Sequence, residues 1–385
     1  MAEQIIYAIA YFFLNPLFLL TLITAVILGY IRVKRERRNF KVRLLPGLTE
    51  FRKLLTESWL YALVLSVSIS GVGLIVDPGW LVLLSIITFI VLLSFFYTIA
   101  SPIYYAAGAF FALYFLQLYA GEFTYRGWSL QQLDLLGDLA ITIPIIAGLL
   151  LIIEGLLIRR HTARYTSPYF VQTNRGLRAA VFKSKRLWLL PVVFLIPGEW
   201  ISAYLPYWPQ FTLGNAAFSF IPVPIVIGFS HMGRAVHPEL SLPKIGLSVV
   251  WTGLIVVAVG LLAFWMPILG WVALQIGLIG RIGISVHSTI REYSKGFVAA
   301  PMPSGVVIAG ILPHSPAEKM GLKSGECIKS VNGIRVNNEK ELYDAIQINA
   351  AHCRLQVIDR QGEVRLTQQV VYHHDHHRLG LLVVR

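Results

Sequence analysis

The strongest constraint on this chain is the recurrence of apolar runs about 20 residues long. An α-helix rises about 1.5 Å per residue and the hydrocarbon core of a bilayer is about 30 Å thick, so each such run is long enough to cross it. Runs of this kind fall at about 11–31, 59–76, 80–100, 103–118, 139–158, 188–205, 212–230, 245–265 and 266–284. The chain is 56% hydrophobic and only 14% charged, whereas soluble domains carry roughly 25% charged residues. Short breaks at Asp77-Pro78-Gly79, Ser101-Pro102 and Trp265-Met266-Pro267 supply the proline or glycine that closes a tight helical hairpin. Asn15-Pro16 divides the first run into an interfacial helix and a span, and Arg281 in the last run is read as reaching back to the interface. The expectation is a polytopic α-helical membrane domain of eight or nine spans over residues 1–300. Met1-Ala2-Glu3-Gln4 has no basic stretch, so the first run is read as a retained span and not as a secretory signal.

The formal charge of +13 is distributed unevenly. After the first span come Arg32, Lys34, Arg35, Arg37, Arg38, Lys41, Arg43, Arg52 and Lys53; after the fifth come Arg159, Arg160, Arg164, Arg175, Arg178, Lys183, Lys185 and Arg186. Smaller loops hold Arg234 with Lys244, and Arg291 with Lys295. With nine alternating spans all of these share one side, and Arg126 alone falls on the other. Basic residues mark the cytoplasmic face, so the N-terminus is expected outside and the C-terminus in the cytoplasm. This arrangement accounts for the basic charge without a nucleic-acid partner. The two long basic segments are also candidate contacts for anionic lipid head groups.

From about Ser304 the pattern becomes that of a soluble α+β unit, expected over residues 301–385. Gly305–Ile311 is a short apolar strand, Ser315 caps a helical turn with Pro316 at its first position, and Cys327–Val331 is a second strand. Asn332-Gly333 is a strong hairpin signal. Asn338 caps a helix from Glu339 to about Asn349, with Leu342, Ala345 and Ile346 on one face. Arg354–Asp359 and Glu363–Val370 form a further hairpin, and Leu379–Val384 is a last strand. The two cysteines, Cys327 and Cys353, read as buried thiols of a reducing compartment.

The segments Val307–Glu326, Ile328–Val336 and Glu339–Asn349 resemble the PDZ family closely. In many bacterial PDZ domains the carboxylate-binding loop and groove strand come first. Here the fitting segment, Arg378-Leu379-Gly380-Leu381-Leu382-Val383, comes last, which implies a permuted order with the groove strand closing the domain. The expected peptide-binding site is Leu379, Gly380, Leu381, Leu382 and Val383 as loop and strand, with Leu342, Ala345 and Ile346 lining the opposite wall. Peptide segments or C-termini would pair with the strand edge through main-chain hydrogen bonds, and the apolar residues serve equally well as simple core.

No catalytic constellation is evident. His-Glu-x-x-His, needed to place two imidazoles and a general base on one helix face, is absent, as are Gly-x-Ser-x-Gly and a phosphate-cradling glycine loop. His231 and His237 read as loop histidines at a span end, with a metal site as the alternative. The tract His373-His374-Asp375-His376-His377 reads as a solvated loop, with zinc or nickel binding as the alternative. Glu154 is expected to pair at the interface with Arg159, one turn away, whereas Glu199 lies deeper in a span. No cofactor or metal is expected, and no enzymatic activity.

Phe12-Phe13-Leu14-Asn15-Pro16-Leu17-Phe18 and Gly29-Tyr30-Ile31-Arg32-Val33-Lys34-Arg35-Glu36-Arg37 resemble the opening of the MinJ family, which shares the order of many spans followed by a C-terminal PDZ domain. The resemblance implies a membrane scaffold for division-site placement in Gram-positive bacteria, enriched at septum and poles, that bridges the polar scaffold DivIVA to MinD and so helps place MinC. Two alternatives remain at this stage: a non-catalytic PDZ regulator of membrane proteolysis or secretion, and a transporter with an attached PDZ sensor.

Overall fold

The computed structural model describes residues 2–125, 128–173, 176–198, 208–213, 216–348, 352–370 and 379–384. Glu199 and the His373–His377 tract lie outside them. The N-terminal half is helical: α1 (Ala2–Leu14), α2 (Pro16–Phe40), α3 (Thr49–Thr56), α4 (Trp59–Val72), α5 (Pro78–Ser94), α6 (Pro102–Tyr119) and, after a small hairpin of β1 (Thr124–Tyr125) and β2 (Trp128–Ser129), α7 (Asp138–Leu157). Prolines open three of these helices, and Pro144 lies inside α7. Pro16, Pro78 and Pro102 occupy first turns, and the Asn15 and Asp77 carboxyl or amide oxygens accept from the N–H groups of Leu17 and Gly79. Asn15-Pro16 does divide the first apolar run into two helices.

Over their described residues the next two apolar runs are almost entirely strand. β3 (Ser167–Gln172) is followed by β4 (Arg178–Pro197), β5 (Gln210–Leu213) and β6 (Ala216–Gly233), in the order β3-β4-β6-β5. Two of the nine expected spans are therefore the long strands of an antiparallel hairpin. It starts and finishes at one end, where Phe182 pairs with Gly233. Pro191, Pro222 and Pro224 explain the outcome, because proline inside a helix removes a hydrogen bond and clashes with the preceding turn. On the ladder Pro191 faces Pro224 and Val193 faces Pro222. A pair of prolines has no N–H to exchange, so these are positions whose main-chain groups point to the outer edges. Four outer edge groups of the hairpin find partners in neighbouring elements: Val193 N–H donates to Ser66 Oγ, Leu189 C=O accepts from Ser58 Oγ, Leu195 C=O accepts from Val76 N–H, and Gly228 N–H donates to Ala100 C=O. Leu187–Leu190, Val192, Phe194 and Ile196 are buried in the same core as the helices. Strand backbone is compatible with a membrane protein when it is enclosed in this way.

Two long helices follow, α8 (Pro238–Leu262) and α9 (Ile268–Ser294). Among the described residues, five helical segments are long and apolar enough to cross a bilayer: Pro16–Phe40, Thr49–Val72, Asp138–Tyr165, Pro238–Leu262 and Ile268–Ser294; Pro78–Ser94 is a shorter apolar helix. α7 and α8 pack through glycines. A Cβ built on Gly155 would lie 2.6 Å from the Gly246 carbonyl oxygen, one on Gly246 2.6 Å from that of Gly155, and one on Gly253 2.8 Å from that of Gly148. Seven-residue spacing on both helices keeps these glycines on facing sides.

The C-terminal part has a sheet ordered β11-β10-β8-β7-β12, with β9 on β8, built from β7 (Val306–Ile311), β8 (Cys327–Val331), β9 (Ile334–Arg335), β10 (His352–Ile358), β11 (Val364–Val370) and β12 (Leu381–Val383). Its helices are α10 (Pro316–Lys319) and α11 (Glu339–Ile348). Asn332 and Gly333 both take positive φ, 50° and 86°, as the tight β8–β9 turn requires. Ser315 caps α10, and Asn338 Oδ1 accepts from Glu341 N–H while the Glu341 carboxylate accepts from Asn337 N–H. One face of the sheet carries its own core; the other face, through Val307, Ala309, Leu382 and Val384, packs on Ala180, Phe182 and Ala299.

Candidate peptide-binding site

Among the described residues β12 is an edge strand, and its register determines which main-chain groups are available. Leu381 lies opposite Ile311 while Leu312 N–H donates to Gly380 C=O; Val383 lies opposite Ile308 while Val384 N–H donates to Val307 C=O. Both pairs are of the type whose own N–H and C=O groups are not exchanged across the ladder. Leu381 and Val383 therefore turn those groups to the free edge. The loop ahead follows the same logic. Leu379 C=O accepts from Ala317 N–H and Gly380 C=O from Leu312 N–H. In a trans peptide the following N–H points the opposite way, so the N–H groups of Gly380 and Leu381 are directed away from the domain. Gly380 has φ of 81° and lies hard against Ser315, two reasons for glycine there.

The free edge opens on a cleft of about 320 Å³ lined by Leu312, Gly380 and Leu381–Val383 on one side and by Glu339, Tyr343 and Gln347 on the other. Leu342, Ala345 and Ile346, the expected helix wall, are instead buried in the domain core. The reason is helical phase: Glu339, Tyr343 and Gln347 are spaced by four and form the neighbouring stripe. A third wall was not legible from the domain alone, since Asn39, Phe40, Lys41 and Val42 at the end of α2 and Phe170 of β3 also line the cleft. The cysteines take no part: burial pushes the Cys353 thiol up to about 11 and raises that of Cys327 as well, so neither is a ready nucleophile.

Several charges of the helical part are held in buried pairs. Arg281 donates from Nε to Glu154 Oε1 at 2.9 Å, Ser101 Oγ donates to the other carboxylate oxygen, and Arg281 Nη1 reaches Ser285 Oγ at 2.6 Å. This corrects two expectations: Arg281 does not reach back to the interface, and the partner of Glu154 is Arg281, with Arg159 left exposed. Arg32 is held by Glu36 and Glu50, and Arg186 by Glu57, so these residues of the two basic segments are internally neutralised. His231 lies on β6 and His237 caps α8.

A profile described as PDZ domain matches residues 307–360. Together with the apolar helices, it defines the class: a polytopic membrane protein ending in a PDZ domain. The chain is 32% identical over 378 residues to "Cell division topological determinant MinJ" of Bacillus subtilis (strain 168), covering 97% of this chain and 93% of that protein. It is 26% identical over 254 residues to "Probable cell division topological determinant MinJ" of Lacticaseibacillus paracasei, 63% of this chain and 66% of that protein. The chain belongs to the MinJ family.

Proposed function

We propose that this chain is a non-catalytic membrane scaffold for division-site placement, whose PDZ domain, residues 301–385, faces the cytoplasm and receives a strand from a partner protein. The carrying observation is the free edge of β12, where Leu381 and Val383 present unexchanged main-chain groups to a cleft. The loop N–H groups of Gly380 and Leu381 fit a carboxylate or a backbone carbonyl at the end of such a strand. The names of the relatives support the division role. The cytoplasmic placement is supported by the segregation of basic residues. Exchanging two spans for one hairpin that returns to its own side leaves that argument unchanged. The partners in this reading are DivIVA-like and MinD-like proteins, with enrichment at septum and poles.

A fluorescent fusion combined with two-hybrid assays against DivIVA and MinD tests this. Septal and polar signal and contact with both are expected. Tyr343→Ala with Gln347→Ala, which strips the cleft wall but leaves the core residues of α11 in place, should weaken at least one contact about tenfold while membrane targeting persists. A uniform signal without either contact would sink the scaffold reading. Full contact in the double variant would move the partner site away from the cleft.

A further inference from the structure

A second cavity, of about 260 Å³, lies between the basic end of the β4–β6 hairpin and α9. Lys183, Ser230, His231 and Met232 line it from the strands, and Arg281, Ser285, Ser288, Thr289 and Tyr293 from the helix. Thr98 and Thr289, both exposed, lie at its mouth.

Its polar groups are incompletely matched. His231 has only 9% of its side chain exposed, and its Nε2 has no hydrogen-bond partner. Glu292 Oε1 lies 3.9 Å from it, beyond hydrogen-bond distance, while Glu292 Oε2 accepts from the N–H groups of Arg234, Ala235 and Val236 at 2.7, 2.7 and 3.3 Å. The Lys183 side chain makes no hydrogen bond or ion pair among the described residues. Arg35 lies close enough to repel it, and Lys185, two residues along the strand, is repelled by both. Arg281 contributes further donors on the helix side, its charge balanced by Glu154. The cavity thus gathers an ammonium without a partner, a buried imidazole whose Nε2 makes no hydrogen bond and a guanidinium edge, and no carboxylate is among its lining residues.

We propose that this cavity is a binding site for a phosphate-bearing anion, held by Lys183 and His231 with Arg281 and the Ser288 and Thr289 hydroxyls completing the shell. A phosphate presents enough acceptor oxygens to satisfy an ammonium and a ring nitrogen at once. It also supplies negative charge beside Lys183 and Lys185, whose charged neighbours are repelling ones. The source is a phospholipid head group entering past Thr98 and Thr289, or free phosphate from the aqueous side. This site is independent of the PDZ cleft.

The test uses the full chain in neutral micelles, with thermal unfolding and native mass spectrometry as readouts. The probes are phosphatidylglycerol, phosphatidylcholine and inorganic phosphate. Phosphatidylglycerol or inorganic phosphate should raise the melting temperature in a concentration-dependent way, whereas phosphatidylcholine, whose phosphate is offset by its own cation, should do so much less. Lys183→Gln and His231→Gln should each weaken the response about tenfold, and Lys183→Arg should retain it. Without added anion Lys183→Gln should be no less stable than the parent, because it removes a repelled charge; a binding loss is thereby separated from a folding failure. A response to phosphatidylglycerol alone assigns a lipid source, and a response to inorganic phosphate assigns the free anion. No response to either, or one that survives in both Gln variants, overturns the site.

Discussion

Glu154 shows how a single residue fixes several elements. Its carboxylate gathers Arg281 from α9 and Ser101 from the start of α6, and all three are buried. Removing one partner of such a pair leaves the other charge buried without compensation, at a cost of about 3–5 kcal/mol, whereas replacing both by apolar groups of similar volume is often close to neutral. Glu154→Ala should therefore lower unfolding stability in micelles by about that amount, and Glu154→Met combined with Arg281→Met should recover most of it. A double variant as unstable as the single would refute the pairing as the cause. Both charges were conspicuous in the sequence because they interrupt apolar runs. Their partnership was not, since they are 127 positions apart and local spacing favours Arg159, one turn along the same helix. The carboxylate of Glu292 is a similar case: three consecutive N–H groups of the turn after β6 bind it, and nothing in its own helix signals that.

At the level of elements, the helices declared themselves through length and through proline at first turns. The long hairpin did not, because a window of apolar residues reads the same for a buried strand as for a span. The discriminating signal was present in Pro191, Pro222 and Pro224, two of them at alternate positions, which suits a strand edge and not a helix interior. The α7–α8 contact rests on the absence of side chains at Gly155, Gly246 and Gly253. Alanine is the better helix former by about 1 kcal/mol, but a Cβ there meets carbonyl backbone that cannot rotate away. Gly155→Ala should thus destabilise the protein, by about 1–3 kcal/mol, and Gly283→Ala, where a Cβ would meet nothing within 4 Å, should not. Denaturant titration of both variants decides it, and equal stability would mean the helices separate at little cost. In the PDZ part nearly every turn and cap was legible, because Asn332-Gly333, Ser315-Pro316 and Asn338 act locally. The phase of α11 was the exception: which stripe faces the cleft depends on how the helix packs on the sheet.

Over the whole molecule, the PDZ domain does not hang free. Arg360 joins Glu239 at 2.9 Å, Val307 and Ala309 pack with Ala180 and Phe182, and the His237 ring lies directly beneath Gly325, which has room for no side chain. Burial, reinforced by Arg360 and only partly opposed by Glu239, lowers His237 from 6.5 to about 4. A separated His237 therefore binds more protons than a docked one between about pH 4 and 6.5. Docking is unaffected above that window and weakens as pH falls through it. Energy transfer between labels at Lys244 and Lys340 should decrease over this range in the parent and stay flatter in His237→Gln; identical curves would clear His237 of the effect. The PDZ cleft is tied to the same arrangement through Asn39–Val42 and Phe170, so its shape depends on docking. The enclosed hairpin bears on how the molecule is made. Ser58, Ser66, Val76 and Ala100, which occupy four of its outer main-chain groups, all precede it in the chain. Synthesis delivers these partners before either long strand leaves the ribosome, so the hairpin can close against a surface that already exists, and its bare edges need never face lipid alone.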